Sequence, residues 1–152
     1  MKFTKTRFKD LIVYNGKDFK DDRGFFREVF EKKKIKKELP FLCLSYSKKN
    51  VLRGLHTQTK NPQGKYISVI KGKIFDVVVD LRKNSKTFGK TFKIILSEKN
   101  SLSLYVPCGF AHSYLALDKN NLVYYKLSNY YSPRFESGIL WNDKDLKIKW
   151  PI

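Results

Sequence analysis

The middle and later chain reads as short apolar runs cut by polar turns. Lys65–Ile70 (KYISVI) breaks at Lys71-Gly72-Lys73 and resumes as Ile74–Leu81 (IFDVVVDL), rich in β-branched residues. Phe92–Leu96, Ser103–Val106, His112–Leu117 and Leu122–Leu127 continue the series. Runs of this length, spaced by about 8–12 residues with turn signals between them, predict an all-β antiparallel sandwich or barrel. Helical segments do not alternate with the strands, so a parallel α/β sheet is disfavoured. The one helix-like stretch is Glu28–Leu39; its lysines 32, 33, 34, 36 and 37 read as the solvated face of a short surface helix. Gly138–Ile152 (GILWNDKDLKIKWPI) places apolar residues too regularly for a loose tail and is predicted to dock on the body. No repeat, low-complexity tract or linker divides the chain, so residues 1–152 read as a single domain. No apolar run approaches the roughly 18–20 residues of a membrane span.

Charge complicates this picture. Lys and Arg number 32 against 14 Asp and Glu, a net charge of +18. Aromatic residues make up 15%, too many for a disordered basic tail. The excess could mark a nucleic-acid binder. Yet only six of the cations are Arg, and the lysines are spread along the chain, whereas phosphate readers favour clustered, bidentate Arg. Nucleic acid is therefore not expected as a partner, and a small anionic ligand accounts for the charge as well. The N-terminal residues are charged throughout and lack the apolar stretch of a signal peptide. Cys43 and Cys108 form no disulfide framework and read as small buried hydrophobes. A cytoplasmic, reduced protein is the expectation.

Phosphate loops, dinucleotide fingerprints and nucleophile elbows are absent. Two histidines without a nearby Cys or carboxylate make a weak metal case, so no metal is expected. A barrel with few helices can converge side chains on one interior ligand. If His56 faces that interior, its imidazole can remove a proton near neutral pH. Lys65 could meet a developing oxyanion, Tyr125 could return a proton, and Arg53 and Arg23 could hold phosphates. That set suits proton abstraction beside a carbonyl.

These residues lie in stretches that resemble the dTDP-4-dehydrorhamnose 3,5-epimerases. The matches include Asp22-Arg23-Gly24-Phe25-Phe26 with Glu28, Val51-Leu52-Arg53-Gly54-Leu55-His56, Gln63-Gly64-Lys65, Gly109-Phe110-Ala111-His112, Tyr125-Lys126, Asn129-Tyr130-Tyr131 and Leu140-Trp141-Asn142-Asp143. The resemblance implies an antiparallel jelly-roll (cupin) barrel with one or two short helices, usually a homodimer, and no cofactor. It implies an isomerase that inverts C3, C5 or both of a nucleoside-diphosphate 4-keto-6-deoxy sugar, a step towards surface-polysaccharide sugars. By similarity His56 is the base, Tyr125 the acid and Lys65 the oxyanion stabiliser. Arg53 and Arg23 would bind the diphosphate with Glu28 in the same pocket, His112 and Glu136 would contact substrate, and Tyr131 would stack on the nucleotide base.

Three departures stand out. Family members continue past the Trp-Pro matched by Trp150-Pro151, into a segment whose Asp hydrogen-bonds the catalytic His; within the sequence ending at Ile152, Asp76 and Asp80 are the alternative partners for His56, each also readable as structural. Phe41 and Cys43 stand where the family has a Gln and an Asn, and Ser113 replaces a Gly. These changes point to a different sugar or nucleotide, or to inversion at one carbon. Rival readings are a 3,4-ketoisomerase of the same substrates, a non-catalytic sugar-nucleotide binder, and a basic nucleic-acid-binding barrel.

Overall fold

The structure is a computed structural model describing residues 1–152. In chain order its elements are β1 (Lys2–Lys5), β2 (Ile12–Asn15), β3 (Asp18–Asp21), β4 (Gly24–Arg27), α1 (Lys32–Ile35), β5 (Phe41–Lys48), β6 (Leu52–Gln58), β7 (Lys65–Lys71), β8 (Lys73–Asp80), β9 (Thr91–Ser97), β10 (Leu102–Val106), β11 (Phe110–Ala116), β12 (Asn120–Leu127) and β13 (Glu136–Gly138). A six-stranded sheet runs β1-β2-β10-β7-β12-β5 and faces a five-stranded sheet, β13-β6-β11-β8-β9; β3 and β4 pair apart as a hairpin. The paired strands are antiparallel throughout. From β6 to β12 the chain passes back and forth between the two sheets, giving the jelly roll that the resemblance implied.

Side chains from both sheets fill one core. Ile67 and Val69 of β7, Leu104 of β10 and Val123 of β12 meet Ile74 and Val78 of β8, Leu96 of β9 and Tyr114 of β11, with Phe8 inserted from the N-terminal loop. Each fully buried side chain of this kind contributes about 1.5–3 kcal/mol. Every residue of β11 is buried, because the strand is covered on both faces. Its outer face packs with Leu55 and Val79, and Ile139, Leu146 and Ile148 of the C-terminal stretch lie over that patch. Trp150 completes the cover, edge-on to Phe75 at 5.9 Å and donating its indole N–H to the Trp141 carbonyl at 2.8 Å. The predicted docking of Gly138–Ile152 is therefore present, without regular structure past β13.

The helix is shorter than the pattern of Glu28–Leu39 predicted. Glu31 gives no side-chain cap, and Lys36 at φ 53° is already left-handed. The Tyr66 hydroxyl donates to the Val29 carbonyl at 2.7 Å and ties the approach to the sheet. Ile35 and Leu39 bury against Tyr14, Tyr66 and Tyr105, so α1 covers one sheet with a single turn. Cys108 also departs from expectation: it is exposed, while Cys43 is half-buried, and both are free.

Candidate active site

β6 and β11 pair so that His56 stands opposite His112. In the other sheet β12 lies between β7 and β5, with Tyr125 opposite Ile67 and Cys43, and Leu127 opposite Lys65. These registers bring His56, Lys65 and Tyr125, from three strands, to one cavity of about 550 Å³. Arg53, His112, Tyr131 and Glu136 line it too. Close approach of β6 to β11 requires Gly54: its φ is +103°, and a Cβ there would overlap the His112 carbonyl oxygen.

Lys65 has no ion-pair or hydrogen-bond partner for its ammonium group in the protein. Burial pushes its pKa down, and the negative charges of Asp76 and Glu136 push it back part of the way. The result is a desolvated cation facing the cavity. Burial likewise pushes the Tyr125 phenol far up, and proximity to Tyr114 adds to this while the hydrogen bond with Ser45 opposes it. Tyr125 thus keeps its proton at neutral pH, available for transfer, while its oxygen can still accept a hydrogen bond. Arg53 donates from Nε to Ser47 Oγ at 2.9 Å and from Nη2 to the Tyr46 carbonyl at 3.0 Å, leaving Nη1 without a protein partner.

Of the two readings open for Asp76 and Asp80, the structural one fits their contacts. Asp76 is buried and holds Nε2 of His112 at 2.8 Å. Asp80 accepts from Arg82, Ser85 and Thr87; burial pushes its pKa up, but these bonds outweigh it and hold the carboxyl well below the usual range. Neither serves as the partner of His56, so both are structural or act through another residue. The carboxylate facing His56 is Glu136, with Oε1 3.8 Å from Nδ1. Its other oxygen accepts from the Tyr131 hydroxyl at 2.6 Å.

Two anticipated residues lie outside the cavity. Arg23 sits in the β3–β4 hairpin, its side chain 90% exposed and paired to Asp21, and Glu28 lies beside a separate surface hollow with Gly16 and Phe25. Phe41 does not line the cavity and packs on Tyr130, ring centroids 5.2 Å apart. Cys43 does line the cavity, and Ser45, two residues along the same inward face of β5, bonds the Tyr125 hydroxyl at 3.0 Å. Gln58 and Gln63 were not anticipated either. Gln58 accepts from the Ser132 amide and donates to the Asn61 carbonyl, and Gln63 donates to the Asn129 carbonyl, so the two amides fix the loop carrying Tyr131. No group of three or more His, Cys, Asp and Glu side chains is arranged to hold a metal ion.

Comparison with known proteins gives a consistent picture. The family model described as dTDP-4-dehydrorhamnose 3,5-epimerase matches residues 5–152. A protein of that name from Methanothermobacter thermautotrophicus is 42% identical over 156 residues, spanning 99% of this chain and 84% of its own. The crystal structure of the Bacillus anthracis enzyme of that name, with TDP and pyrophosphate bound, superposes with a TM-score of 0.96 at 42% identity over 99% of this chain and 90% of its own. The epimerase from Legionella pneumophila, in complex with dTDP-4-keto-L-rhamnose, gives 0.96 at 38% identity over 99% and 84%.

Proposed function

The chain belongs to the dTDP-4-dehydrorhamnose 3,5-epimerase family, and on that premise we propose that it inverts C3, C5 or both of a dTDP-linked 4-keto-6-deoxy sugar. The observation that carries this reading is the convergence of His56, Lys65 and Tyr125 on one cavity. A C4 ketone acidifies the hydrogens on its neighbouring carbons. His56 takes one of them, the electron pair moves into an enolate, and charge collects on the C4 oxygen. Lys65, desolvated and without a protein partner, supplies the cation that oxygen needs. Tyr125 then breaks its O–H bond and delivers the proton to carbon from the opposite face, the carbonyl re-forms, and the cycle closes when His56 gives the proton it took to solvent and solvent reprotonates the phenolate. Inversion requires two proton-transfer groups on two faces, and β6 and β12 belong to opposite sheets.

Arg53 reaches the diphosphate with its free Nη1, and Tyr131, half-exposed at the rim, stacks on the base; His112 and Glu136 line the sugar end. Arg23 and Glu28 reach this cavity only across a subunit contact, so their roles depend on a homodimer. The apolar outer face of β5, with Leu42, Leu44 and Tyr46 exposed, and the exposed Phe25 and Phe26 of the hairpin support one. Sedimentation equilibrium gives twice the chain mass on this reading and the single mass if it is wrong. Two free cysteines suit a reducing cytoplasm. The catalytic reading is tested by incubation with a panel of dTDP- and GDP-4-keto-6-deoxy sugars in deuterated water. Mass shifts of one or two count the exchanged centres. A product whose carbonyl has moved to C3 marks a ketoisomerase instead, and no exchange with any substrate marks a binder.

A further inference from the structure

Behind Tyr125 runs an unbroken file of hydroxyls. Tyr125 Oη lies 3.0 Å from Ser45 Oγ, which lies 2.9 Å from Tyr114 Oη, which lies 2.8 Å from Ser47 Oγ, and Ser47 Oγ meets Arg53 Nε at 2.9 Å. The file crosses between the sheets, from β12 through β5 to β11 and back to β5, and ends on β6. Tyr114 and Ser47 are buried, so no bulk water competes for these bonds.

A guanidinium can only donate, and each hydroxyl owns one proton. Ser47 therefore accepts from Arg53, and because the Tyr114 oxygen is the one acceptor that its buried hydroxyl meets, its own proton goes to Tyr114. Tyr114 has then accepted from Ser47 and donates to Ser45, and Ser45 donates to Tyr125. One fixed charge sets the direction of every bond in the file. Its last member, the Tyr125 oxygen, is an acceptor within the protein, and its own proton is left to point into the cavity.

We infer that Tyr114 and Ser45 are positioning residues that aim the Tyr125 proton at the substrate carbon and hold the phenolate oxygen once that proton has gone. The inference rests on the proposed proton transfer by Tyr125. Arg53 joins the two ends of the substrate in this scheme: one edge of its guanidinium faces the phosphates while Nε polarises the file leading to the acid. Without Tyr114's hydroxyl, Ser45 is free to turn and accept from Tyr125, which draws the acid's proton away from the cavity.

The test separates orientation from general damage. In deuterated water, the base alone exchanges hydrogen and returns deuterium from the same face, giving labelled but uninverted substrate. The acid is needed for labelled, inverted product. Tyr114→Phe, which deletes one oxygen and keeps the ring, and Ser45→Ala are each expected to raise the ratio of labelled recovered substrate to labelled product by about tenfold, the worth of one well-placed hydrogen bond. A purely structural role lowers both yields together and leaves the ratio as in the wild type; that result in both variants overturns the inference. Should the wild-type protein exchange no substrate at all, the functional reading fails, and the file is decided by NMR of protein labelled at tyrosine Cζ, with Tyr125 assigned through Tyr125→Phe. The Tyr125 resonance then moves downfield in Tyr114→Phe as the phenol turns from acceptor to donor, and an unmoved resonance overturns the inference.

Discussion

Replacing Lys65 by Met keeps the length and apolar stem of the side chain and removes its charge. The ammonium has no protein partner, is desolvated, and feels Asp76 and Glu136 as its nearest negative charges. Its work is therefore reserved for the enolate oxygen. A unit charge about 4 Å away at an effective dielectric of about 20 is worth about 4 kcal/mol. Loss of a preorganised oxyanion donor costs about 2.7–4 kcal/mol in other enzymes, or about 100- to 1,000-fold in rate. Lys65→Met is expected to lose activity by that factor in single-turnover assays, with substrate binding little changed. The pH dependence follows from the depressed ammonium. Wild-type activity falls on the alkaline side as Lys65 loses its proton, at a pH below the ordinary lysine value of about 10.4, and Lys65→Met lacks that limb. Stability has the opposite sign. A lysine whose folded pKa lies below its unfolded one costs stability while charged, and this cost fades as pH rises through the folded value. At neutral pH the Met variant should thus melt no lower than the wild type. A loss of less than fivefold, or an alkaline limb that survives in Lys65→Met, would refute the assignment.

Other consequences can be checked on stability and reactivity. Asp80→Ala strands Arg82, Ser85 and Thr87; since Arg82 is partly exposed, the cost is set at the lower end for a broken buried pair, about 3 kcal/mol, or a fall in Tm of about 6–12 °C. The depressed carboxyl of Asp80 stabilises the fold above its ordinary pKa of about 3.9 and loses that effect as pH falls through the folded value, so the two proteins should converge in urea titrations at acid pH. Gly54→Ala must relieve both a positive φ and an overlap with the His112 carbonyl; it is expected to lose about 3 kcal/mol in denaturant unfolding. Burial pushes the Cys43 thiol up, so mass-resolved alkylation with iodoacetamide should label the exposed Cys108 first and Cys43 slowly, and more slowly still with dTDP bound.

The six strands from β7 to β12 were legible because each carries a compact apolar or β-branched run between turn residues. The early strands were not. β1 (KFTK) is exposed at every position and is held by pairing with β2 alone. β5 (FLCLSYSK) turns Cys43, Ser45 and Ser47 inward and leaves Leu42 and Leu44 outside, so its hydrophobic pattern runs against its burial. Of the site, the His56, Lys65, Tyr125 and Arg53 positions follow from motifs, and the registers bring them to one cavity. The carboxylate beside His56 was not legible, since the sequence offered Asp76 and Asp80, each also readable as structural, but could not show that Asp76 would face His112 and Asp80 the side chains of Arg82, Ser85 and Thr87. The hydroxyl file joins residues up to 80 positions apart, and only the pairing of β5 with β12 and the facing of β11 make it visible.

The central claim is that His56 opens the reaction and Tyr125 closes it on the other face. Solvent deuterium exchange in His56→Ala and Tyr125→Phe, read separately in recovered substrate and in product, tests it most directly. His56→Ala should abolish exchange in both pools, while Tyr125→Phe should keep exchange in recovered substrate and lose inverted product. Exchange at the wild-type rate in His56→Ala, or undiminished inversion in Tyr125→Phe, would contradict the account.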